Sequence, residues 1–269
     1  MILSGRFIRP VLLKKGKSKM TDIILNGCNG KMGAAVTKAV SERDDCRIVA
    51  GVDLYGDNSE YKVYRNFGDV DVDADVVIDF SNPIVLDSML AFSKRKSIPL
   101  VICTTGFSPS QVESIKEASK DVAVFYSGNM SLGINLIIEL SKKAAAILGG
   151  TFDVEIIEKH HNQKIDAPSG TALMIADGIS EILPKSQYVY DRHSYRQKRA
   201  KNEIGIHAVR GGTIVGEHEV IFAGHDEIFS LKHQALSKEV FAVGAVNAAV
   251  YLKNKKNGMF DMGKLLSET

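Results

Sequence analysis

The residues best suited to acid–base chemistry are concentrated between positions 155 and 172. His160, His161 and Lys164 place three groups that can be cationic or donate protons within five residues. Gly170 and Thr171 fall in the first turn of a predicted helix, where unpaired backbone N–H groups bind carboxylates. A small dianionic substrate would therefore find both side-chain cations and a helix N-terminus in one segment.

Simpler interpretations of this segment remain open. Adjacent histidines in an exposed loop are often only solvated, and residues 166–169 also form an ordinary helix start. No metal site is predicted, because HHxxK lacks the HExxH spacing that places two ligands on one helical face. Ser169 is not predicted to be a hydrolase nucleophile, since Pro-Ser-Gly-Thr is no nucleophile elbow.

A glycine-rich segment near the beginning of the chain predicts a dinucleotide site. Gly27, Gly30 and Gly33 lie between the first predicted strand and the first predicted helix. Glycines there permit a tight turn, close backbone approach to a pyrophosphate and close helix–strand contact. Asp53 ends the second predicted strand 20 residues beyond Gly33, where an acid accepts the ribose hydroxyls of NAD. The alternative is that Asp53 only caps a loop.

The residues around Asp53 bear on the choice of cofactor. Leu54 follows Asp53, and no adjacent cation would hold a 2′-phosphate. NADH is therefore expected to be favoured over NADPH. NADPH remains possible, because Lys62 or Arg65 could fold towards the same position.

The elements that must position these residues follow a βα pattern in the first half of the chain. Runs that are apolar on both faces alternate with segments of helical spacing, which is typical of a parallel sheet covered by helices. The expected fold is α/β, a Rossmann-like doubly wound parallel sheet. Strands are predicted at 23–28, 47–53, 74–80, 99–105 and 122–126, and helices at 31–41, 83–94 and 109–118.

The pattern changes after residue 131 to that of a smaller α+β domain on a mostly antiparallel sheet. We expect it to serve substrate binding and oligomerisation. A last, Ala- and Val-rich helix over 238–253 could pack back on the first domain. The predicted domains are 21–130 with 239–269, and 131–238. Within the second half, helices are predicted at 132–148 and 169–183, strands at 152–158, 204–209, 213–223 and 228–234, and a polar loop at 184–202.

Composition and charge exclude several classes of protein. The net charge of +2 gives no signature for nucleic acid or an anionic membrane. No stretch approaches the roughly 20 apolar residues of a membrane span.

Residues 1–20 contain six cations and no acid, and we interpret them as a leader outside the fold. Three cysteines without CxxC spacing favour a reducing compartment, hence the cytoplasm. The cations of loop 184–202 either steer an anionic substrate or are simply solvated.

The segment EIIEKHHNQKIDAPSGTA, residues 155–172, resembles the signature of the dihydrodipicolinate reductase family, whose enzymes are also named 4-hydroxy-tetrahydrodipicolinate reductases. Further family motifs occur in order: NGCNGKMG, IDFSNP, TTGFS, SGNMSLGIN and GMFDM. The resemblance covers essentially everything from Thr21 to the end. It implies an NAD(P)H-dependent reductase of diaminopimelate and lysine biosynthesis that acts on a small dicarboxylate and forms a homotetramer.

The resemblance also implies roles for individual residues. His160 matches the family's proton donor and acceptor, and Lys164 its proton donor. The substrate-carboxylate binders would be His161, Gly170 and Thr171. The dinucleotide would be held by Gly27, Cys28, Asn29, Gly30, Lys31, Met32 and Asp53, with Thr104, Thr105, Ser127, Gly128, Asn129 and Met130 lining its nicotinamide half.

Three positions depart from the family pattern. Cys103 replaces the usual glycine before Thr-Thr-Gly and adds a side chain beside the cofactor. Met130 stands where relatives often carry phenylalanine, and Asn82 stands where some carry a cofactor-facing arginine. These changes bear on cofactor affinity and preference rather than on the reaction.

Two other functions fit parts of the sequence. Another amino-acid dehydrogenase would explain the first half but would leave HHxxKxDAPSGTA without a purpose. A non-catalytic NAD-binding sensor would need neither His160 nor Lys164, and both are present.

Overall fold

The computed structural model describes residues 20–56, 60–194 and 196–268, so the predicted leader lies outside these ranges except for Met20. Strands and α-helices are numbered here in chain order. The strands are β1 (Thr21–Asn26), β2 (Cys46–Val52), β3 (Val63–Tyr64), β4 (Val76–Asp79), β5 (Leu100–Ile102), β6 (Ala123–Tyr126), β7 (Asp153–His160), β8 (Gln187–Val189), β9 (Glu203–Arg210), β10 (Gly216–Ala223), β11 (Ile228–Ala235) and β12 (Gly258–Phe260). The helices are α1 (Lys31–Ser41), α2 (Leu86–Lys96), α3 (Pro109–Ala118), α4 (Leu132–Leu148), α5 (Gly170–Ile182), α6 (Glu239–Leu252) and α7 (Met262–Ser267).

Seven strands form one parallel sheet in the order β12-β6-β5-β4-β1-β2-β3. The strand order reverses between β1 and β4, and the crevice beyond the carboxyl ends of the strands at such a reversal is where α/β folds bind ligands. The predicted Rossmann-like fold is confirmed.

Helices cover both faces of this sheet. Ile23 and Leu25 of β1 face one core together with Val36 of α1 and Val246 of α6, whereas Ile24 faces the other core. Helices α2 and α3 contribute to that second core. Because both faces are buried, the central runs of β1, β2, β4, β5 and β6 are apolar, which is why the sequence pattern identified these five strands.

The remaining five strands form a mixed sheet in the order β11-β10-β7-β9-β8. The pairs β10–β11 and β7–β10 are antiparallel, but β7–β9 and β8–β9 are parallel. The expectation of a mostly antiparallel sheet was therefore wrong. Helix α5 carries the chain from the end of β7 back to the start of β8, so β8 runs in the same direction as β7, and β9 pairs parallel with both.

Several short elements were missed by the sequence patterns. Strand β8 lies within the predicted polar loop, and β3, β12 and α7 were not predicted. Strands β3, β8 and β12 have only two or three residues, too few to show a periodicity. None of the helices in the described part of the chain is both long and apolar enough to cross a membrane.

Strand β7 changes character along its buried face. Val154 and Ile156 face helices α4 and α5 in an apolar core, and the next residues on the same face are Glu158 and His160. The strand alternates strictly between buried and partly exposed side chains. The regular pleat therefore delivers two titratable groups to the end of an otherwise apolar core.

Helix α6 packs closely against the segment that leaves β6 for α4. Gly244 of α6 faces the carbonyl oxygen of Met130, and a Cβ atom at position 244 would overlap that oxygen. Met130 also lies in the core that α6 shares with β1 and β4.

We expect Gly244→Ala to lower the free energy of unfolding by about 1–3 kcal/mol, the usual cost of overpacking a core. Helix propensity alone would give a gain of about 1 kcal/mol for this change, so the sign of the effect is diagnostic. Urea denaturation measures it, with Val243→Ala on the exposed side of the same helix as the control. A more stable Gly244→Ala protein would contradict the proposed contact.

Candidate active site

The loop between β1 and α1 leaves space that side chains would fill. Gly27 has a positive φ of 77°, and a Cβ atom there would overlap the carbonyl oxygen of Phe80. A Cβ atom at Gly33 would overlap the carbonyl oxygens of Gly27 and Cys28. Gly30 is the N-cap of α1. The backbone can thus approach a pyrophosphate closely at the N-terminus of a helix, as a dinucleotide requires.

Asp53 lies directly beside this loop. One carboxylate oxygen accepts a hydrogen bond from the Asn29 N–H at 3.0 Å, and the other accepts from the Tyr55 N–H at 3.1 Å. The Asn29 side chain also donates to the carbonyl oxygen of Tyr55. The acid predicted to bind a ribose is therefore fixed against the loop predicted to bind the phosphates.

Cys28 and Lys31 occupy this loop in different ways. The Cys28 thiol is buried in the core beside Gly51, and burial raises its pKa to about 11. Only the backbone of Cys28 is placed to meet a ligand. The Lys31 side chain is exposed, and Met32 turns towards a cavity next to the loop.

A cavity of about 510 Å³ opens beyond the carboxyl ends of β4, β5 and β6. Eight of the predicted cofactor residues line it, and four residues that the sequence patterns did not single out line it as well. The first group is Met32, Cys103, Thr104, Thr105, Ser127, Gly128, Asn129 and Met130, and the second is Phe80, Ser81, Lys238 and Phe241.

A buried polar cluster supports the floor of this cavity. The Asp79 carboxylate is 1% exposed and accepts hydrogen bonds from the Asn26 amide at 2.8 Å and the Ser81 hydroxyl at 2.5 Å. The Ser81 N–H donates to the Thr104 hydroxyl at 2.8 Å. Burial raises the pKa of Asp79 in spite of these donors. Burial also raises the pKa of Cys103, aided by the charge of Asp79, so Cys103 faces the cavity as a neutral thiol.

Asn129 connects this cavity to the second sheet. Its side-chain amide donates to the Thr171 hydroxyl at 3.0 Å, and its side-chain oxygen accepts from the Ser131 N–H at 2.8 Å. A Cβ atom on Gly128 would lie 2.9 Å from the Met174 sulfur. The N-terminus of α5, with Gly170 and Thr171 as its first residues, is therefore held beside the residues that line the cavity.

His160 ends β7 and is bound to a buried carboxylate. Its Nδ1 lies 2.5 Å from Glu158, which is fully buried. An ionised carboxylate can only accept, so Nδ1 carries the proton and Nε2 is the nitrogen free to exchange one. Burial would raise the pKa of Glu158, but hydrogen bonds from Arg210 and His160 lower it below its usual range. Burial lowers the pKa of His160, against the effect of Glu158.

His218 and Ser169 complete the surroundings of His160. The rings of His218 and His160 meet edge to face, with centroids 5.2 Å apart. The hydroxyl of Ser169, the N-cap of α5, lies 3.2 Å from His218 Nε2 and accepts from the Ala172 N–H. Burial lowers the pKa of His218 to about 4, so His218 is neutral at neutral pH.

Lys164 lies in the loop between β7 and α5. Its ammonium group lies 2.7 Å from the Asp166 carboxylate, and its side chain is 22% exposed. The hydrogen bond from Lys164 lowers the pKa of Asp166, with a smaller contribution from the Gly170 N–H. The charge of Lys164 also lowers the pKa of His160, so the two groups interact. His161 is half-buried at the start of the same loop.

Two further features bear on ligand binding. Within the described ranges, no three His, Cys, Asp or Glu side chains come together as metal ligands would.

Two cations of the 184–202 loop already form ion pairs, because Arg192 pairs with Glu203 and Arg199 pairs with Glu155 at 2.9 Å.

The sequence patterns missed the groups that support the predicted site. Glu158, Arg210 and His218 come from three different strands, and only pairing of those strands brings them together. Glu158 stood within the recognised motif, and its place on the buried face of an alternating strand was the one available signal. Nothing local marked Lys238 or Phe241.

The doubly wound sheet, the glycine loop and the adjoining cavity, with the N-terminus of α5 held beside it by Asn129, define a dinucleotide-dependent oxidoreductase. The two family models of dihydrodipicolinate reductase match this chain, the N-terminal one over residues 21–130 and the C-terminal one over residues 133–266. The chain belongs to the dihydrodipicolinate reductase family, and it binds a nicotinamide cofactor.

Individual relatives agree with this assignment. The 4-hydroxy-tetrahydrodipicolinate reductase of Clostridium novyi is 51% identical over 92% of this chain and 98% of that protein. The enzyme of the same name from Caldanaerobacter subterraneus is 50% identical over 93% of this chain and 99% of that protein. The structure of dipicolinate-bound dihydrodipicolinate reductase from Paenisporosarcina sp. TG-14 is 26% identical, with a TM-score of 0.75 over 90% of this chain and 97% of that one.

We expect Gly27→Ala to weaken NADH binding at least about tenfold, because the added methyl group would push the loop away from the strand-end carbonyl of Phe80. Gly149→Ala is the matched control, since Gly149 also has a positive φ but has open space around its Cβ position. Titration calorimetry with NADH measures both. Equal affinity in the wild type and Gly27→Ala would contradict a role for this loop.

Proposed function

We propose that this chain reduces 4-hydroxy-tetrahydrodipicolinate to tetrahydrodipicolinate, with loss of water, in diaminopimelate and lysine biosynthesis. The observation that supports this proposal best is the hydrogen bond between Asn129, which lines the cavity, and Thr171, at the N-terminus of α5. This bond holds the start of α5, which follows the segment of His160 and Lys164, against the cavity. A reduced nicotinamide, when bound, supplies a hydride.

The cofactor residues divide by position. We assign Gly27, Cys28, Asn29, Gly30 and Lys31 to the pyrophosphate through their backbone, and Asp53 to the adenosine ribose. The nicotinamide half is assigned to the lined cavity, where Phe80, Ser81, Lys238 and Phe241 join the predicted residues. The predicted set there is Met32, Cys103, Thr104, Thr105, Ser127, Gly128, Asn129 and Met130.

The substrate is proposed to bind by its two carboxylates at the start of α5. Lys164 already binds a carboxylate of the chain itself, that of Asp166, and we assign the Gly170 N–H at the start of α5 to the same role. Thr171 and His161 are assigned to the same group of donors. The solved relative from Paenisporosarcina is described as bound to dipicolinate, a dicarboxylate like the proposed substrate.

Proton transfer is assigned to Lys164 and His160. Hydride addition to a ring conjugated with an imine leaves negative charge on the adjacent atoms, and a nearby acid must neutralise it. Lys164 delivers this proton from its ammonium group. His160 exchanges protons through Nε2, because Glu158 holds the proton on Nδ1.

We propose that NADH is preferred over NADPH. Asp53 would repel a 2′-phosphate, and the nearest candidate cation is engaged, since Lys62 Nζ lies 3.3 Å from Asp71. Lys62 would have to leave this partner to reach the ribose.

The wider assembly is also a proposal. Residues 21–130 and 239–269 would form the cofactor domain, and residues 131–238 a domain that binds substrate and builds a homotetramer. The cytoplasm is proposed as the compartment from the three cysteines, which are free thiols in the structure.

We expect Lys164→Ala and His160→Ala each to lower kcat by about 10²–10⁴-fold, the usual contribution of a positioned acid or base. The assay follows loss of NADH and NADPH absorbance with substrate generated in place by the upstream synthase. Lys159→Ala is the matched control. Lys159 lies next to His160 on β7 but on the opposite face of the strand, where it pairs with Glu217 of β10. Tight NADH binding without turnover in the wild type would refute the reductase and favour an NAD-binding sensor.

We expect Asp53→Ser to lower the ratio of kcat/KM for NADH over NADPH by about 10–100-fold, because a charge-assisted hydrogen bond to the ribose is lost and the repulsion of a 2′-phosphate disappears. Asp73→Ser, an exposed acid in the same region of the chain, is the control. An unchanged ratio would show that another residue selects the cofactor.

A further inference from the structure

The carboxylate of Glu158 is the most completely surrounded charge among the residues that the structure describes around the site. It is fully buried and accepts hydrogen bonds from three directions. Arg210 binds it with both terminal nitrogens, at 2.7 and 2.8 Å, the Ser169 N–H donates at 3.0 Å, and His160 Nδ1 lies at 2.5 Å. Such a carboxylate is ionised, and its position is fixed by its donors.

Arg210 extends this arrangement to the loop that carries Lys164. Its Nη2 atom, which binds Glu158 at 2.7 Å, also donates to the carbonyl oxygen of Asp166 at 2.6 Å. The side chain of Asp166 in turn holds the Lys164 ammonium group at 2.7 Å. One buried ion pair is thus connected to both proton-bearing groups, to His160 directly and to Lys164 through Asp166.

The orientation of the His160 ring depends on the same contacts. A Cβ atom at Gly216, its cross-strand neighbour, would lie 3.1 Å from Nε2, and the His218 ring stands edge-on beside it. Gly216 and His218 pack against the ring but form no hydrogen bond with its nitrogen atoms. The hydrogen bond from Nδ1 to Glu158 decides which nitrogen is presented.

We propose that the Glu158–Arg210 pair is the positioning element of the active site, which orients His160, fixes its tautomer and anchors the loop of Lys164. This inference rests on the proposed function for its catalytic consequence. The contacts of the pair go to His160 and to the backbone of the loop that carries Lys164, so each residue is assigned an effect through the groups that it binds.

The two members of the pair act on His160 in opposite directions. The charged groups that face His160 are Glu158 on its own strand, Arg210 on β9 and Lys164 in the loop, while His218 on β10 is held neutral by burial. The negative charge of Glu158 favours the imidazolium form, and the positive charges of Arg210 and Lys164 oppose it. Removing Glu158 therefore lowers the pKa of His160, and removing Arg210 raises it as long as Glu158 stays ionised.

The test is a pH titration of histidine-labelled protein by NMR, with the His160 signal assigned from His160→Gln. We expect the midpoint of the His160 titration, called the His160 midpoint below, to fall by about one pH unit or more in Glu158→Gln and to rise in Arg210→Gln. The pH profile of kcat/KM should move in the same two directions, and kcat should fall about 10–100-fold in each variant. Midpoints that do not move, or that move in the same direction, would overturn the proposal.

Glu155→Gln is the matched control. Glu155 lies on the opposite face of β7 and also binds an arginine and a histidine, Arg199 at 2.9 Å and His207 at 2.8 Å. We expect the same local loss of ion pairing there with no change in the His160 midpoint. A shift of that midpoint in Glu155→Gln equal to that in Glu158→Gln would attribute the effect to general loosening of the strand and refute the proposal.

Arg210→Lys covers the case in which Glu158→Gln does not fold. It keeps the charge but loses the fork that reaches both Glu158 and the Asp166 carbonyl. We expect kcat to fall with the His160 midpoint nearly unchanged, whereas full activity would overturn the positioning role. Because the titration needs no turnover, an inactive wild type with opposite midpoint shifts would refute the reductase assignment and leave the geometry of the pair intact.

Discussion

The site depends on the close approach of backbone and polar side chains where the chain passes from the parallel sheet to the mixed sheet. Asn129 lies at this crossing and is fully engaged. It binds Thr171 and Ser131 through its side chain, and its carbonyl oxygen accepts from the Asn135 amide at 2.8 Å. The adjacent Met130 carbonyl lies against Gly244 of the returning helix. These contacts hold the start of α5, which packs on the mixed sheet, beside the cavity at the edge of the parallel sheet.

Two buried carboxylates stabilise the two halves of the site by different means. Asp79 is surrounded by neutral donors, the Asn26 amide and the Ser81 hydroxyl and N–H, so burial dominates and its pKa is raised. Glu158 is paired with the Arg210 guanidinium, and its pKa is lowered. The first arrangement holds Ser81 and Thr104 in place at the cavity. The second keeps a full charge beside His160 at a cost in desolvation that the hydrogen bonds offset.

The parts of the fold that were predictable are those with a strong periodic pattern. Strands buried on both faces have continuous apolar runs, and α1 and α3 occupy the predicted ranges 31–41 and 109–118. The direction of pairing in the second sheet was not predictable in this way, because β7 alternates regularly along its length yet pairs antiparallel with β10 and parallel with β9. Which strands are neighbours depends on the crossover through α5, which periodicity does not encode.

By itself, the sequence determined the class of fold, the glycine loop with its acid at Asp53, the family, and the segment from His160 to Thr171 that the proposed chemistry requires. These features are local, since each depends on residue types at short spacing. Only the tertiary structure decided which groups surround that segment. Arg210 and His218 reach Glu158 across strand pairs, and Phe241 reaches the cavity from the last long helix. Contacts between distant parts of the chain arise from strand pairing and core formation, so no local pattern in the sequence marks them.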